Sequence, residues 1–319
     1  MAPDEGAGIL GISLVHDQVR IVEGVKLSAN EFQVNKVAHG RVRQAFTFDV
    51  FEDKNMPRRF AEDIMRLCEA HKIEVKNAAF SLDSRMVMVK RLAIDRELKL
   101  DDLREHVEWE VRQFVISPVD EYVVDFEQLH TDENGDLNSI LVVVVRKKVV
   151  QFLKKLFKHT DLKLKVVDVD VFSAQRALQV NYDSNSSDKI CLIDVEGKKI
   201  HFSILKGRNF FLTHEVSTSE NGAAEDGLSL TRLISKELRR IILDHQLGKG
   251  VEDLNEVYLY GEAVDDSVLE GLQNAYDVHI DCANPFRRIK LLAQAKEDVS
   301  QSRGERYMIS VGAALRGIQ

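Results

Sequence analysis

The sequence predicts a mixed α/β protein built from two lobes, and two observations carry this prediction. A pattern of three consecutive strands occurs twice, first near residue 8 and again near residue 189, each time followed by helices and further strands. A polar stretch, DSNSSD at 183–188, separates the two repeats and has the composition of a linker. We therefore expect a first lobe over residues 8–182 and a second lobe over residues 188–319.

The first lobe begins with alternating apolar residues. This alternation predicts strands at 8–15, 18–26, 32–39 and 43–49. An amphipathic helix is expected at 57–72, where Pro57 fits the first turn and Phe60 and Ile64 begin an apolar stripe. The strand KNAAFSLD then closes a mixed sheet that has a helix on one face.

Residues 84–163 have a pattern of their own and predict an inserted α+β subdomain. RMVMVKRLAI is typical of a strand, and LDDLREHVEWEVRQFV of an amphipathic helix with acidic residues in its first turn. Asn134-Gly135 predicts the turn of a hairpin between EYVVDFEQLH and LNSILVVVVR. A basic amphipathic helix, KKVVQFLKKLFKH, completes the insertion.

The second lobe repeats the opening pattern. KICLIDVEGKKIHFSILKGRNFFLTHEV predicts three strands, and the helix LSLTRLISKELRRIILDHQ, the strand EVYLYG, a helix at 264–275, the strand VHI and a C-terminal segment follow. Two copies of a three-stranded unit, one of them carrying an insertion, are typical of the actin-like (ribonuclease H-like) architecture. Proteins of that architecture bind ATP between the lobes, with one hairpin turn from each lobe at the phosphates.

Composition narrows the function. The net charge of −8 argues against a nucleic-acid-binding protein. The longest apolar run, ILVVVV at 140–145, has the length of a strand, so we expect no membrane span. The N-terminus, MAPDEGAG, lacks the basic and apolar regions of a secretion signal. Three widely separated cysteines, Cys68, Cys191 and Cys282, predict reduced thiols in a cytoplasmic protein and no metal site.

Several stretches match one family in the same order along the chain. In the insertion, Trp109, Glu110, Pro118, Asp125 and Phe126 carry the match. Further matches are Arg146 and Lys147 at a helix start, then Asp168, Asp170, Phe172, Ala174 and Arg176, and finally NPF at 284–286 and YMISVGAALRG at 307–317. With these stretches the sequence resembles the PilM family of type IV pilus assembly proteins, relatives of the division protein FtsA.

The positions that would hold a nucleotide in that family are altered. In the first phosphate turn, Ser13 stands for an acidic residue and Val15 for a glycine. The second turn keeps Asp194 but has Glu196 in place of a glycine, and the adenosine motif is Gly261-Glu262 instead of Gly-Gly. A short loop replaces the helical subdomain that the family places beside the adenine, so this subdomain is reduced or missing. We therefore expect a degenerate nucleotide site and no bound cofactor.

The resemblance implies a non-catalytic cytoplasmic adaptor of a type IV pilus or type II-like secretion platform, peripheral to the inner membrane through its partners. The implied partner is the cytoplasmic N-terminal peptide of an inner-membrane protein similar to PilN. The pilus motor ATPase and platform proteins are further candidates. The family's peptide groove maps between the first and inserted subdomains, onto Phe80, Leu82, Arg85, Met86, Phe172 and Arg176. The alternative is that these residues only seal the two subdomains together.

Other interpretations stay open at this point. One is an actin-like ATPase or sugar kinase, and another is the cytoplasmic domain of a secretion-platform protein such as GspL, which shares the fold. Asp168 and Asp170 are either paired catalytic carboxylates or a polar strand face that meets Arg176 or a helix N-terminus, and the second is favoured. Asp194 is either a Mg²⁺ contact or the cap of a turn, and the cap is favoured. The altered positions favour the adaptor over an enzyme.

Overall fold

The computed structural model describes residues 8–29, 31–95, 100–129, 137–218 and 227–318. The first half of the chain forms β1 (Gly8–Val15), β2 (Gln18–Ser28), β3 (Glu31–Arg41), α1 (Met56–Ala70), β4 (Asn77–Leu82), β5 (Val87–Asp95), α2 (Leu100–Arg112), β6 (Tyr122–Leu129), β7 (Leu137–Arg146), α3 (Lys147–Lys158), β8 (Lys163–Val169) and α4 (Asp170–Asn181). The second half forms β9 (Lys189–Glu196), β10 (Lys199–Lys206), β11 (Asn209–Ser217), α5 (Gly227–Asp244), β12 (Glu256–Tyr260), α6 (Asp266–Ala275), β13 (His279–Cys282), β14 (Lys290–Leu291), α7 (Ala293–Ser302) and α8 (Met308–Gly317).

Two sheets repeat one topology and confirm the prediction of a duplicated unit. The first runs β14-β3-β2-β1-β4-β8 and the second β11-β10-β9-β12-β13. In each, three antiparallel strands are followed by two that run parallel to the first of them. The parallel strands follow from helical crossovers, since a parallel neighbour cannot be reached by a tight turn. The hairpin turns of the two sheets therefore occupy equivalent positions in the two lobes.

The strand predicted at 43–49 is wrong. The chain is irregular after β3 and forms only a short 3-10 turn at Phe48–Phe51. Phe46 explains the difference, because its ring is fully buried and packs edge-on against Phe60, with 5.5 Å between ring centroids. The chain has to turn inward to place this ring in the core, and a flat strand at the edge of the sheet cannot do so.

The insertion is smaller than predicted. Its three-stranded sheet, in the order β5-β7-β6, carries α2 on one face. The prediction of 84–163 also included α3, but this helix packs on α1 in the core of the first lobe. Its apolar stripe includes Phe152, which contacts Phe46 and Phe60, while its lysines face outward. The structure therefore assigns α3 to the first lobe and leaves 87–146 as the inserted unit.

The C-terminal segment also differs from the predicted second lobe of 188–319. The strand β14 pairs in parallel with β3, and α8 packs on α4 and β1, so residues 290–317 complete the first lobe. Two glycines permit this close packing. A Cβ atom at Gly312 would lie 1.7 Å from the carbonyl oxygen of Ser173, and one at Gly11 would lie 1.9 Å from that of Ser310.

In the described residues, no helix combines the length and apolar character needed to cross a membrane. The three cysteines are unpaired thiols, with Cys68 and Cys191 buried and Cys282 partly exposed.

Candidate functional site between the lobes

The two equivalent hairpin turns lie beside a cavity of about 350 Å³ between the lobes. The first turn joins β1 to β2, and His16 adopts a φ of 54° there although it is not a glycine. The second turn, at Gly197 and Lys198, joins β9 to β10. Seven carboxylates line the cavity against four Lys or Arg side chains; the acids are Asp17, Asp83, Asp170, Asp194, Glu196, Glu215 and Glu262.

The first altered motif offers no ligand to the cavity. Ser13 is fully buried within β1, and its hydroxyl has no hydrogen-bond partner among the described residues. Val15 is the last residue of β1 and pairs with Gln18, with only 6% of its surface exposed. A β-branched residue in a ladder keeps an extended backbone, whereas a glycine at this position could adopt other conformations.

The second and third altered motifs meet at a buried arginine that the sequence analysis missed. Arg20 lies directly opposite Ser13 in the β1–β2 pairing, and its side chain is 2% exposed. Its Nη2 atom donates to Glu262 Oε2 at 2.9 Å and to Glu196 Oε1 at 3.4 Å. The other carboxylate oxygen of Glu262 lies 3.4 Å from Nη2 of Arg306. We call Arg20, Glu196 and Glu262 the arginine clasp, since the arginine comes from the first lobe and both glutamates from the second.

The charges of the arginine clasp shift one another's pKa values. Burial opposes the charged form of Arg20, but the carboxylates of Glu196 and Glu262 outweigh it and raise the pKa of the guanidinium. Burial raises the pKa of Glu196, and Arg20 opposes this change. The two carboxylates therefore permit Arg20 to be buried as a charged group.

Asp194 and Gly261, which belong to two separate motifs of the sequence, lie next to each other and beside the arginine clasp. Burial, followed by the Glu196 carboxylate, raises the pKa of Asp194 well above its usual range. Its Oδ1 atom has no hydrogen-bond partner among the described residues. Gly261 adopts a φ of 109°, and a Cβ atom there would lie 2.5 Å from that oxygen. Backbone conformation and close packing therefore explain this glycine without a nucleotide.

A second polar contact joins the lobes on the other side of the cavity. Ser84 Oγ lies 2.9 Å from Nδ1 of His201 on β10, while Asp170 Oδ2 accepts from the backbone N–H of Ser84 at 3.0 Å and from its hydroxyl at 3.2 Å. Burial, and then the neighbouring Asp83 carboxylate, raise the pKa of Asp170 to about 7. The acid contacts the serine and not the histidine, so these three groups are not ordered as a Ser-His-Asp triad.

The other aspartate of the DVDVF stretch has a structural partner. Asp168 Oδ2 accepts from Nη1 of Arg176 at 2.5 Å and from the hydroxyl of Ser173 at 2.9 Å. This confirms the interpretation of a polar strand face that meets Arg176. Asp170 instead begins α4, so the two aspartates belong to different contacts.

The apolar residues Phe80, Leu82 and Met86, which were predicted for the partner groove, are buried. Phe80, Leu82 and Met86 are 0%, 2% and 5% exposed and pack in the core of the first lobe. The family resemblance placed the groove at this junction, but β4 is an inner strand; Phe80 packs against Phe157 of α3, and α8 also packs on β4. These three side chains therefore do not line an open groove.

The other three residues of that prediction, Arg85, Phe172 and Arg176, also have contacts within the chain. Arg85 is bound to Asp83 beside the interlobe cavity. Phe172 is half-buried against Phe210, with 5.3 Å between ring centroids. Arg176 donates to Asp168 and also approaches the carbonyl oxygen of Gly312. Whether any of these residues contacts a partner stays a prediction.

Comparison with solved structures agrees with the architecture. A type IV pilus biogenesis complex of PilM and PilN contains a chain that matches with a TM-score of 0.82, at 18% sequence identity over 98% of each chain. A Bacteroides thetaiotaomicron protein with an actin-like ATPase fold and unknown function matches with a TM-score of 0.50, at 10% identity over 88% of this chain and 92% of that one. At these identities the likeness establishes the fold, which is actin-like, as predicted.

The sequence itself identifies the family. The family model for the type IV pilus assembly protein PilM matches residues 11–218, which include most of the first hairpin unit, the whole insertion and the second hairpin unit. That range covers well over half of the 319 residues. The chain belongs to the PilM family of type IV pilus assembly proteins.

Proposed function

We propose that this protein is a non-catalytic adaptor that works without bound nucleotide in a type IV pilus or type II-like secretion assembly platform. The observation that carries the proposal is the arginine clasp, in which Glu196 and Glu262 occupy two of the altered nucleotide positions and both form ion pairs with Arg20. A guanidinium from within the chain thus makes the link between the lobes that a nucleotide makes in actin-like ATPases.

The charges of the cavity support the absence of ATP. Its lining has more carboxylates than cations, and an excess of negative charge in a partly closed site repels a polyphosphate. A phosphate that approached Arg20 would have to displace two glutamates from a buried guanidinium. Among the described residues, no group of three His, Cys, Asp or Glu side chains is arranged to hold a metal ion. The residues present therefore do not fit Mg-ATP.

The proposed partner is inferred from the family to which the chain belongs. The PilM chain of the solved complex is bound to PilN. We propose that this chain holds a cytoplasmic segment of a PilN-like inner-membrane protein in the same manner, and that it is a cytoplasmic protein kept at the membrane by that contact. The motor ATPase and platform proteins of the pilus are further proposed partners.

Two measurements test the two parts of the proposal. Titration calorimetry with Mg-ATP is expected to give no saturable heat at millimolar nucleotide, and a micromolar dissociation constant, about −8 kcal/mol, would contradict nucleotide independence. A pull-down with the synthetic cytoplasmic segment of the PilN-like protein from the same organism is expected to retain the chain. A scrambled segment of the same composition is the control, and equal retention by both would contradict the adaptor role.

A further inference from the structure

The outward side of α3 concentrates positive charge on an acidic chain. Residues 146–165, which run from the end of β7 through α3 into β8, contain eight Lys or Arg side chains and a single carboxylate, Asp161, although the net charge of the chain is −8. Four exposed lysines lie on α3 and two on β8. We call these six residues the lysine face: Lys147, Lys154, Lys155, Lys158, Lys163 and Lys165.

The lysine face has no counter-charge within the described part of the chain. None of its six ammonium groups forms an ion pair with a described residue, and the acidic residues nearby bind other lysines. Glu52 accepts from Lys148 at 2.7 Å, and Asp161 is paired with Lys76. The neighbouring helix α1 differs, because two of its arginines pair with acidic residues of the same helix.

Helix electrostatics account for only part of the lysine face. The helix dipole favours cations in the last turn, where Lys155 and Lys158 lie, but it disfavours Lys147 in the first turn, which has no acidic residue. Lys154 and Lys158 are four residues apart on the helix, and like charges at this spacing repel each other. A negatively charged partner outside the chain would compensate these unfavourable positions.

The edge strand β8 extends the lysine face beyond the helix. It follows directly after α3, contacts it, and is the last strand of the first sheet. In its pairing with β4, Leu164 lies opposite Ala78 and Val166 opposite Ala79, so Lys165 is the extra residue of a β-bulge. A bulged edge with lysines opposes the addition of another strand. This edge therefore suits contact with a charged surface better than pairing with an extended peptide.

The composition of the lysine face indicates which kind of surface it contacts. The apolar side of α3 is buried in the core of the first lobe, and Val167 is the one exposed large apolar residue of α3 and β8. Protein interfaces have apolar or aromatic anchors and are depleted in lysine. All six cations are lysines, whose flexible point charges need no fixed geometry in the partner, unlike the planar fork of arginine. Lysines of this kind are attracted to anionic membrane surfaces.

We propose that the lysine face rests on the anionic phospholipid headgroups of the membrane. The contact is electrostatic and without insertion, because α3 has no free apolar side to bury in the acyl chains. It goes beyond the adaptor function as a direct link to the membrane. It rests on the proposed location at the membrane, but it does not require the PilN-like partner.

Vesicle co-sedimentation of the full chain, without any partner protein, tests the proposal. The probes are vesicles of phosphatidylcholine alone and vesicles that also contain about 30% phosphatidylglycerol, each at about 50 and about 200 mM salt. We expect binding to the anionic vesicles only. The partition coefficient should fall at least about tenfold at the higher salt, because salt screens a contact that is purely electrostatic.

A triple charge reversal tests the surface assignment. Lys154→Glu with Lys155→Glu and Lys158→Glu should lower the partition onto anionic vesicles at low salt at least about tenfold relative to wild type. The same three positions changed to Gln remove the charges without reversing them, and this variant should lose less. The Gln variant also keeps the test decisive if the reversed variant melts at a lower temperature.

The matched control carries the same change in total charge elsewhere. Lys249→Glu lies in the second lobe, and Lys290→Glu and Lys296→Glu lie in or beside β14, at the opposite edge of the first sheet from β8. We expect this control to bind within about twofold of wild type. An equal loss in the control would show that net charge alone acts, and would overturn the proposal.

Three other results would also overturn the proposal. They are no binding of wild type to the anionic vesicles, unchanged binding of both α3 variants, and lysine-dependent binding of a duplex oligonucleotide in place of vesicles. None of them affects the adaptor function, which is contradicted only if the PilN-like segment fails to retain the chain better than its scrambled control.

Discussion

Replacement of Arg20 by Met is the sharpest test of the arginine clasp. Methionine keeps much of the apolar stem and removes the charge, so the variant leaves the partly buried carboxylates of Glu196 and Glu262 without their shared cation. Glu262 keeps Arg306 at 3.4 Å, whereas Glu196 has no second cationic partner among the described residues. Removing one partner of a buried ion pair costs about 3–5 kcal/mol, and we expect a loss of this size in the free energy of unfolding.

The reason for the loss can be isolated by a double variant. If the unpaired charge of Glu196 is responsible, then Arg20→Met with Glu196→Gln should be more stable than Arg20→Met alone, although it carries one more substitution.

The loss of stability caused by Arg20→Met should also depend on pH. Without Arg20 the folded-state pKa of Glu196 rises further above its unfolded value, so the folded form binds the extra proton. The variant therefore loses more stability at pH 8 than at pH 5.

Urea denaturation followed by far-UV circular dichroism measures these differences. Arg58→Met is the matched control, because Arg58 is 73% exposed and its ion pair with Glu62 lies on the surface of α1, where such pairs contribute little. The reasoning is refuted if Arg20→Met is as stable as Arg58→Met, or if the double variant is no more stable than Arg20→Met.

Three further predictions follow from the packing and the buried groups. Gly312→Ala should destabilise the fold by at least about 2 kcal/mol, because its Cβ would meet the backbone of Ser173, while Gly197→Ala, with nothing within 4 Å, is the control; equal melting curves would contradict the close contact of α4 and α8. Asp170→Asn should remove a fall in stability of up to about 1.4 kcal/mol per pH unit between the unfolded pKa near 4 and the folded pKa of about 7, measured by urea denaturation at pH 4–8, and an unchanged pH profile would refute it. Burial raises the pKa of the Cys191 thiol, so it should react with a thiol reagent only after unfolding, and modification of that residue in the folded protein, read by mass spectrometry, would contradict this.

Local patterns were sufficient for most of the fold. The alternation in β1, β2, β9 and β10 predicted both hairpin units. That Ser13, Glu196 and Glu262 are departures from a nucleotide site stays a prediction. The residue next to all three positions, Arg20, was not identified from the sequence. Arg20 lies inside an ordinary strand pattern, and its partners are 176 and 242 residues away along the chain.

The remaining differences also come from long-range packing. The alternation of apolar and polar residues around Phe46 is typical of a strand. The Phe46 ring, however, packs in a core with α1 and α3, and this packing requires the chain to leave the sheet. The partner groove was predicted at a junction between subdomains, whereas Phe80, Leu82 and Met86 pack in the core of the first lobe. Their burial could not be predicted, because it depends on packing against α3, whose Phe157 contacts Phe80 from a distant part of the chain.

The return of residues 290–317 to the first lobe has a consequence for biosynthesis. The sheet of the second lobe, β9 to β13, is formed by one continuous stretch of chain, so it can assemble as soon as that stretch leaves the ribosome. The first lobe, although translated earlier, exposes the faces that α8 covers until the last helix emerges. We therefore expect the later-translated lobe to mature first, and a nascent chain stalled before α8 to be a substrate for chaperones and proteases.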